Sequence, residues 1–172
     1  AGVDTRRLAR HIRDEGTCKA LIVDAQTPSI ACLAKMRSTA LPTNQVSVVS
    51  TKSPWISACA NPKHRVVAVD CGIKHNIIRS LNARGCEVTV VPWTVTAEEV
   101  MATHPDGLFI SNGPGNPELC RAAVEHIRKA YEGDRPIFGI CMGNQLMSLA
   151  AGAKTFKLKY GHRSHNQPVR MN

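Results

Sequence analysis

The segment PIFGICMGNQL, residues 136–146, decides the fold of this chain. Residues 136–140 are apolar and predict a buried strand, and residues 144–151 predict a helix that ends at Gly152. Between the two, Gly139 and Gly143 flank Cys141. A nucleophile on such a strand-to-helix turn is forced outwards on a strained backbone, and the flanking glycines allow the strand and the helix to approach closely. We expect the helix N-terminus to favour the thiolate form of Cys141, which is the reactive form.

The same alternation of strand and helix begins at about residue 63. Strands are predicted at residues 66–70, 87–91 and 108–111, and helices at residues 74–84, 96–101 and 117–131. Because the strands are apolar throughout, they indicate a parallel sheet that is covered by helices on both faces. Asp70, Ser111 and Cys141 lie at the carboxyl ends of these strands, where such sheets bind ligands. Residues 155–160 alternate in polarity and predict a strand with one solvated face.

The first 62 residues lack this regular alternation of strands and helices. A helix that Asp4 or Thr5 can cap is predicted up to Gly16, followed by a strand at residues 20–23 and a helix at about residues 29–36. Residues 46–62 are expected to be irregular because they contain Pro54, Asn61 and Pro62. The sequence therefore predicts two regions, residues 1–62 and residues 63–172.

The composition excludes several classes of function. The net charge is +9, but the 22 Lys and Arg residues are dispersed and only 4% of residues are aromatic, which argues against a nucleic-acid surface. No apolar run is long enough to cross a bilayer, so no membrane partner is expected. The seven cysteines are widely spaced and form no CxxC pair, which predicts no metal site and a reducing, cytoplasmic location.

A second glycine-rich loop, SNGPGNP at residues 111–117, also follows a predicted strand and precedes a helix. Its glycines would let the backbone approach a ligand, and the N–H groups of Gly113 and Met142 could both stabilise an oxyanion. It is not a phosphate-binding loop of the GxxxxGK[ST] type. Taken alone, this loop also fits an ordinary Gly-Pro turn, and the first motif also fits a buried cysteine between two glycines.

Together and in this order, the two loops resemble those of the class I (triad) glutamine amidotransferases. Within that family the chain is most similar to the glutaminase components of carbamoyl phosphate synthetases. The resemblance extends to VDCGIK (69–74), GCEVTVVP (85–92), PDG (105–107) and AGAKT (151–155), and upstream to VDTR (3–6). It implies a flavodoxin-like, largely parallel α/β sheet at residues 63–172, C-terminally incomplete, preceded at residues 1–62 by the end of a small α/β domain and a linker.

The resemblance also implies site residues. Cys141 corresponds to the nucleophile that attacks the side-chain amide of L-glutamine, releases ammonia and forms a glutamyl thioester. Gly113 and Met142 correspond to the oxyanion donors, and Gly115 and Gln145, together with Gly113 and Met142, to glutamine-binding positions. No cofactor is expected in this domain. The ammonia would pass to a partner, a synthetase subunit or fused domain, which uses ATP, Mg²⁺ and bicarbonate to make carbamoyl phosphate for pyrimidine or arginine synthesis.

The chain departs from the family pattern at two points. Asn144 stands where many relatives have His, with a mild expected effect because this position is not in the triad. The family completes its triad with a His-Pro-Glu motif, and no His-x-Glu occurs between Cys141 and Asn172. His162 and His165 do not substitute on motif grounds, because His162 falls in the family's Tyr/Phe-Gly-His strand region.

These departures lead to three expectations. The chain reads as truncated before the triad His and Glu, so negligible turnover is expected of it alone, and the incomplete sheet should expose an edge and an apolar face. The alternative is a catalytically inactive amidotransferase-like binding or regulatory module. Another α/β Cys or Ser hydrolase is disfavoured, because such an enzyme needs neither the SNGPG loop nor Gln145.

Overall fold

A computed structural model describes residues 2–23 and 29–159, which fall into two compact units. The described part of the first contains residues 2–23, 29–41 and 156–159 and is built on helix α1 (Thr5–Glu15) and helix α2 (Ser29–Ser38). As predicted, Asp4 caps α1 by accepting a hydrogen bond from the Arg7 N–H, and Gly16 ends the helix at φ 93°. Lys19 donates to two carbonyl groups at the C-terminal end of α2.

Two predicted strands are wrong. Residues 20–23 are not paired with any described strand, and Ile22 is 99% exposed. Residues 155–159 are not assigned to a strand either, and Tyr160 lies outside the described residues. A short apolar or alternating run becomes a strand only where a neighbour accepts its backbone hydrogen bonds. The local sequence pattern does not show whether such a neighbouring strand exists, and among the described residues none pairs with these two runs.

The second unit, residues 42–155, contains one five-stranded sheet. In chain order its elements are α3 (Gln45–Val49), β1 (Trp55–Ser57), β2 (His64–Asp70), α4 (His75–Asn82), β3 (Cys86–Pro92), α5 (Ala97–Ala102), β4 (Gly107–Ile110), a 3₁₀ helix (Pro117–Leu119), α6 (Arg121–Ala130), β5 (Ile137–Gly139) and α7 (Met142–Ala150). The strand order is β1-β3-β2-β4-β5, with β1 antiparallel and the rest parallel. The predicted α/β fold with a largely parallel sheet is confirmed.

Burial on both faces explains why the strands read as apolar runs. On one face Val67, Val69, Leu108 and Ile110 form a core with buried residues of α5, α6 and α7. On the other face, Ala68 and Val88 belong to a smaller core that α4 covers, together with Val90 and Phe109. The strands are therefore packed on both faces, and the loops that follow them start from a closely packed sheet.

The second face is only partly covered. An open groove of about 650 Å³ runs beside α4 and is lined by apolar side chains that include Ile77, Leu81, Phe109 and Phe138. Phe138 lies on β5, the last strand of the described sheet, and is 63% exposed. The expected exposed edge and apolar face are therefore present within the described residues. No helix in that part of the chain is long and apolar enough to cross a membrane.

Several boundaries differ from the sequence prediction. Residues 46–62 are not wholly irregular, because they contain most of α3 and β1, and β1 exists only through its pairing with β3. The helix predicted at residues 117–131 is interrupted at Cys120, between the 3₁₀ helix and α6. Helix α7 begins at Met142, directly after Cys141. Finally, the compact units change at residue 42, whereas the domain boundary near residue 62 stays a prediction.

Candidate active site

The two glycine-rich loops leave the sheet at the same edge. Strands β4 and β5 are parallel neighbours with Ile110 paired to Gly139, and the Ile140 N–H donates to the Ile110 carbonyl at 3.1 Å. The loop that starts at Ser111 and the turn that holds Cys141 therefore begin side by side at the carboxyl edge of the sheet. This is the edge at which open α/β sheets bind ligands.

Cys141 has the backbone that the nucleophile turn predicts. Its φ is 54° and its ψ is −109°, a conformation that a residue with a Cβ rarely adopts. The side chain is exposed, and the residue occupies the N-cap position of α7. The partial positive charge of a helix N-terminus stabilises a nearby anion such as a thiolate. The thiol is thus presented outwards by a strained turn.

The flanking glycines are required by close approach of the backbone. A Cβ on Gly143 would lie 2.1 Å from the carbonyl oxygen of Ile110, and one on Gly139 would lie 2.7 Å from the carbonyl carbon of Gly143. No side chain larger than hydrogen fits at either position without displacing backbone. The start of α7 is therefore packed against both β5 and the end of β4. This packing fixes the direction of the Cys141 side chain.

Two amide groups of the two loops are free among the described residues. Within α7 the Gly143 N–H donates to Ile140 and the Gln145 N–H to Cys141. The N–H groups of Gly113 and Met142, in contrast, have no hydrogen-bond acceptor among residues 2–23 and 29–159. Unpaired amides at a helix N-terminus and a glycine loop are the donors that an oxyanion requires.

The SNGPGNP loop is held by its own side chains. Ser111 is fully buried, and its Oγ accepts from the Cys71 N–H at 2.9 Å and donates to the Asn112 carbonyl at 2.8 Å. The Asn112 amide donates to the Gly72 carbonyl at 2.9 Å, while its Oδ1 is buried without a partner among the described residues. Asn116 caps the following 3₁₀ helix. The loop is an ordered platform beside Cys141.

The predicted glutamine-binding positions lie on this platform and on α7. Gly115 has a φ of 96°, and a Cβ there would lie 2.9 Å from Oε1 of Gln45. Gln145 is exposed on the first turn of α7. Their role in substrate binding stays a prediction. Gln45 was not among the predicted site residues, and no local signal marks it, because α3 reaches the loop only through the tertiary fold.

Two other thiols near these loops, Cys71 and Cys120, are buried. Burial raises the pKa of Cys71 to about 12, and the nearby Cys120 and Asp70 add to this shift. Burial also raises the pKa of Cys120. Both thiols therefore stay protonated at neutral pH and cannot compete as nucleophiles. His162 and His165 lie outside the described residues. Within residues 2–23 and 29–159, no group of three or more potential ligand side chains could hold a metal ion.

The strained cysteine turn, the adjacent glycine loop and the parallel sheet are together typical of one family of proteins. The chain belongs to the class-I glutamine amidotransferases, whose family model, Glutamine amidotransferase class-I, matches residues 67–172.

The relatives are more specific than the family. The chain is 49% identical, over 170 residues, to the carbamoyl phosphate synthase small chains of Staphylococcus saprophyticus and Listeria innocua, and it is 49% identical over 170 residues to the pyrimidine-specific small chain of Halalkalibacterium halodurans. In each case the match covers 99% of this chain and 46% of the relative, so the chain spans about half the length of these relatives. Among solved structures, a putative GMP synthase subunit from Thermoplasma acidophilum is similar over 53% of this chain and 46% of its own, with 29% identity and a TM-score of 0.47.

Proposed function

We propose that this chain carries the glutamine-hydrolysing site of a carbamoyl phosphate synthase. The observation that carries the proposal is the position of Cys141, an exposed thiol on the strained turn after β5. The N–H group of Met142, which follows it, and that of Gly113, in the loop after the neighbouring strand β4, are both free among the described residues. The names of the relatives, carbamoyl phosphate synthase small chain, support the choice of this enzyme within the family.

The chemistry follows from this arrangement. The Cys141 thiolate adds to the side-chain amide carbon of L-glutamine, and the amide oxygen becomes an oxyanion that the N–H groups of Gly113 and Met142 stabilise. The carbon–nitrogen bond then breaks, the nitrogen takes up a proton and leaves as ammonia, and a glutamyl thioester remains on Cys141. Water attacks the thioester, giving glutamate and restoring the thiol.

These steps need a general acid and base, because the leaving nitrogen must gain a proton and the attacking water must lose one. No histidine of the described residues forms a hydrogen bond with Cys141. In the proposal this role belongs to the family's His-Pro-Glu motif. Gly115 and Gln145 bind the rest of the glutamine. The ammonia is used by a synthetase component with ATP and bicarbonate, in the cytoplasm.

The test measures ammonia release from L-glutamine by the full-length protein and by its Cys141→Ser variant. We expect turnover to fall by at least about 10³-fold in the variant, since loss of the nucleophile removes the covalent route. Carbamoyl phosphate synthesis from added ammonia, assayed with the synthetase component, should stay at the wild-type level. Cys18→Ser is the matched control, because Cys18 is also exposed but lies outside the sheet unit. Wild-type turnover in Cys141→Ser would refute the proposal.

The same experiment decides the second candidate, a binding or regulatory module without catalysis. The observation that favours it is that no described residue forms a hydrogen bond with the Cys141 thiol. This candidate predicts that the wild-type protein binds glutamine, as measured by calorimetry, yet releases no ammonia. Ammonia release that depends on Cys141 would exclude it.

A further inference from the structure

The carboxylate of Asp70, at the C-terminal end of β2, is buried, and among the described residues it accepts hydrogen bonds from backbone N–H groups only. The residue is 6% exposed. Its Oδ1 accepts from the N–H groups of Gly72 at 2.8 Å and Ile73 at 2.7 Å, and its Oδ2 accepts from the Thr51 N–H at 2.8 Å. Within residues 2–23 and 29–159 it forms no ion pair. Hydrogen bonds to a carboxylate are strong, and the two from Gly72 and Ile73 fix the backbone of the turn at residues 71–73, while the third ties Asp70 to Thr51.

This turn lies directly against the SNGPGNP loop. The Cys71 N–H donates to Ser111 and the Gly72 carbonyl accepts from Asn112, both at 2.9 Å. The packing leaves no free space: a Cβ on Gly113 would lie 2.1 Å from the Cys71 carbonyl oxygen. Because close-packed interiors transmit displacement, any shift of the turn at residues 71–73 must move the backbone of Gly113.

We propose that Asp70 is a positioning residue for the oxyanion hole, acting on Gly113 through the turn at residues 71–73. The inference rests on the proposed glutaminase function, since it assigns Asp70 a part in that reaction. Asp70 forms no hydrogen bond with Gly113, so its effect is geometric. It holds the Gly113 N–H at the place where negative charge develops on the substrate oxygen.

A positioning role and a general role in stability predict different kinetics. An oxyanion forms only in the transition state, so a displaced donor lowers kcat and leaves KM nearly unchanged. Misplacing a catalytic group by about 1 Å costs on the order of 10²-fold in rate. A residue that only stabilises the fold changes the amount of active protein and the thermal midpoint, but not the kcat of each correctly folded molecule.

The experiment compares glutaminase kcat and KM, per reactive Cys141 thiol, for the full-length wild type, Asp70→Asn, Asn112→Ala and the double variant. Asn112→Ala removes the bond between the loop and the turn from the other side. Asp106→Asn is the matched control, because Asp106 also accepts a backbone N–H, from Arg65 at 2.7 Å, but at the opposite end of β2. Alkylation of Cys141 by iodoacetamide, which needs no oxyanion hole, counts the thiols.

We expect kcat to fall by about 10- to 100-fold in Asp70→Asn with KM within about threefold of wild type, and Asp106→Asn to be unchanged. The effects of Asp70→Asn and Asn112→Ala should be less than additive in the double variant, because both act on one turn. An unchanged kcat in Asp70→Asn, a change in KM alone, or strict additivity overturns the proposal.

Two further outcomes can be told apart: unfolding of the Asp70→Asn variant, and failure of the proposed function itself. If Asp70→Asn loses its cooperative thermal transition, Asn112→Ala carries the test, and a wild-type kcat in that variant overturns the inference. If the wild-type protein shows no release of ammonia that depends on Cys141, the proposed function fails, and the role of Asp70 in it fails with it. Release that depends on Cys141 but not on Asp70 or Asn112 refutes only the positioning role.

Discussion

The carbonyl oxygen of Ile110 occupies the place where a side chain on Gly143 would begin, 2.1 Å from the ideal Cβ position. Helix α7 therefore rests on the end of β4, and Gly143 is the residue that permits this contact. Since Cys141 lies two residues before Gly143, the contact sets both the stability of the sheet unit and the direction of the thiol.

Gly143→Ala should destabilise the protein. Alanine is favoured over glycine in a helix by about 1 kcal/mol, but overpacking costs about 1–3 kcal/mol, and a collision with a backbone atom lies at the upper end of that range, so the clash prevails. We expect a net loss of about 2 kcal/mol and a fall of roughly 4–8 °C in the midpoint of thermal unfolding. Gly133→Ala is the control, because a Cβ there would meet its nearest atom at 3.4 Å. An equal midpoint for the two variants would contradict the geometry.

Gln145→Ala tests the substrate site with little effect on the fold. Gln145 is exposed, so the free energy of unfolding should change by less than about 0.5 kcal/mol. If its amide binds glutamine, KM should rise by about 10-fold, which corresponds to one lost hydrogen bond to a charged or polar group. Asn144→Ala, at the neighbouring exposed position of α7, should leave KM unchanged. Steady-state kinetics of the full-length protein would show the difference, and equal KM values for both variants would exclude this role of Gln145.

The raised pKa of Cys71 makes stability depend on pH in the alkaline range. The thiol titrates near 9.0 when exposed and near 12 in the folded protein. The unfolded chain therefore loses this proton first, so the contribution of Cys71 is fully present below pH 9 and is lost as pH rises towards 12. Between pH 8.5 and 10, the wild type should lose roughly 1 kcal/mol more free energy of unfolding than Cys71→Ala. Urea titrations at both pH values measure this, and parallel losses in the two proteins would disprove it.

Phe138 should promote self-association of the 172-residue chain. It is 63% exposed beside the open groove, and its ring stacks on Phe109 with centroids 6.1 Å apart. Exposed edge strands with apolar faces favour aggregation, and a lysine on the edge opposes it. Phe138→Lys should therefore reduce light scattering at high protein concentration and the fluorescence of a hydrophobic dye. Phe156→Lys serves as the control, since Phe156 is 83% exposed but lies outside the sheet unit. Equal effects of both substitutions would show that the groove is not responsible.

Much of the sheet unit could be predicted from sequence because its information is local. The run at residues 66–69 is apolar throughout, and Thr96 caps α5 through a capping box with Glu99, as local rules require. The turn around Cys141 is also local, since its two glycines lie within the motif.

The features that sequence missed depend on partners distant in the chain. Strand β1 exists because Trp55 pairs with Val90, and Gln45 reaches Gly115 only after the whole sheet has formed. The bond between Thr51 and Asp70 belongs to the same group. Conversely, residues 20–23 carry a strand pattern but no strand partner among the described residues, so the pattern misleads. Composition and hydrophobic periodicity could reveal neither the strand β1 nor the absence of a strand at residues 20–23.

The positive φ of Cys141 makes selection for a stable fold and selection for catalysis favour different residues at this position. A φ of 54° costs a residue with a side chain about 1–3 kcal/mol, and glycine would relieve most of that cost. In a library of variants selected only for thermal stability, we therefore expect Cys141 to be replaced early. Retention of cysteine at this position reports selection for chemistry, whereas enrichment of glycine would report selection for folding alone.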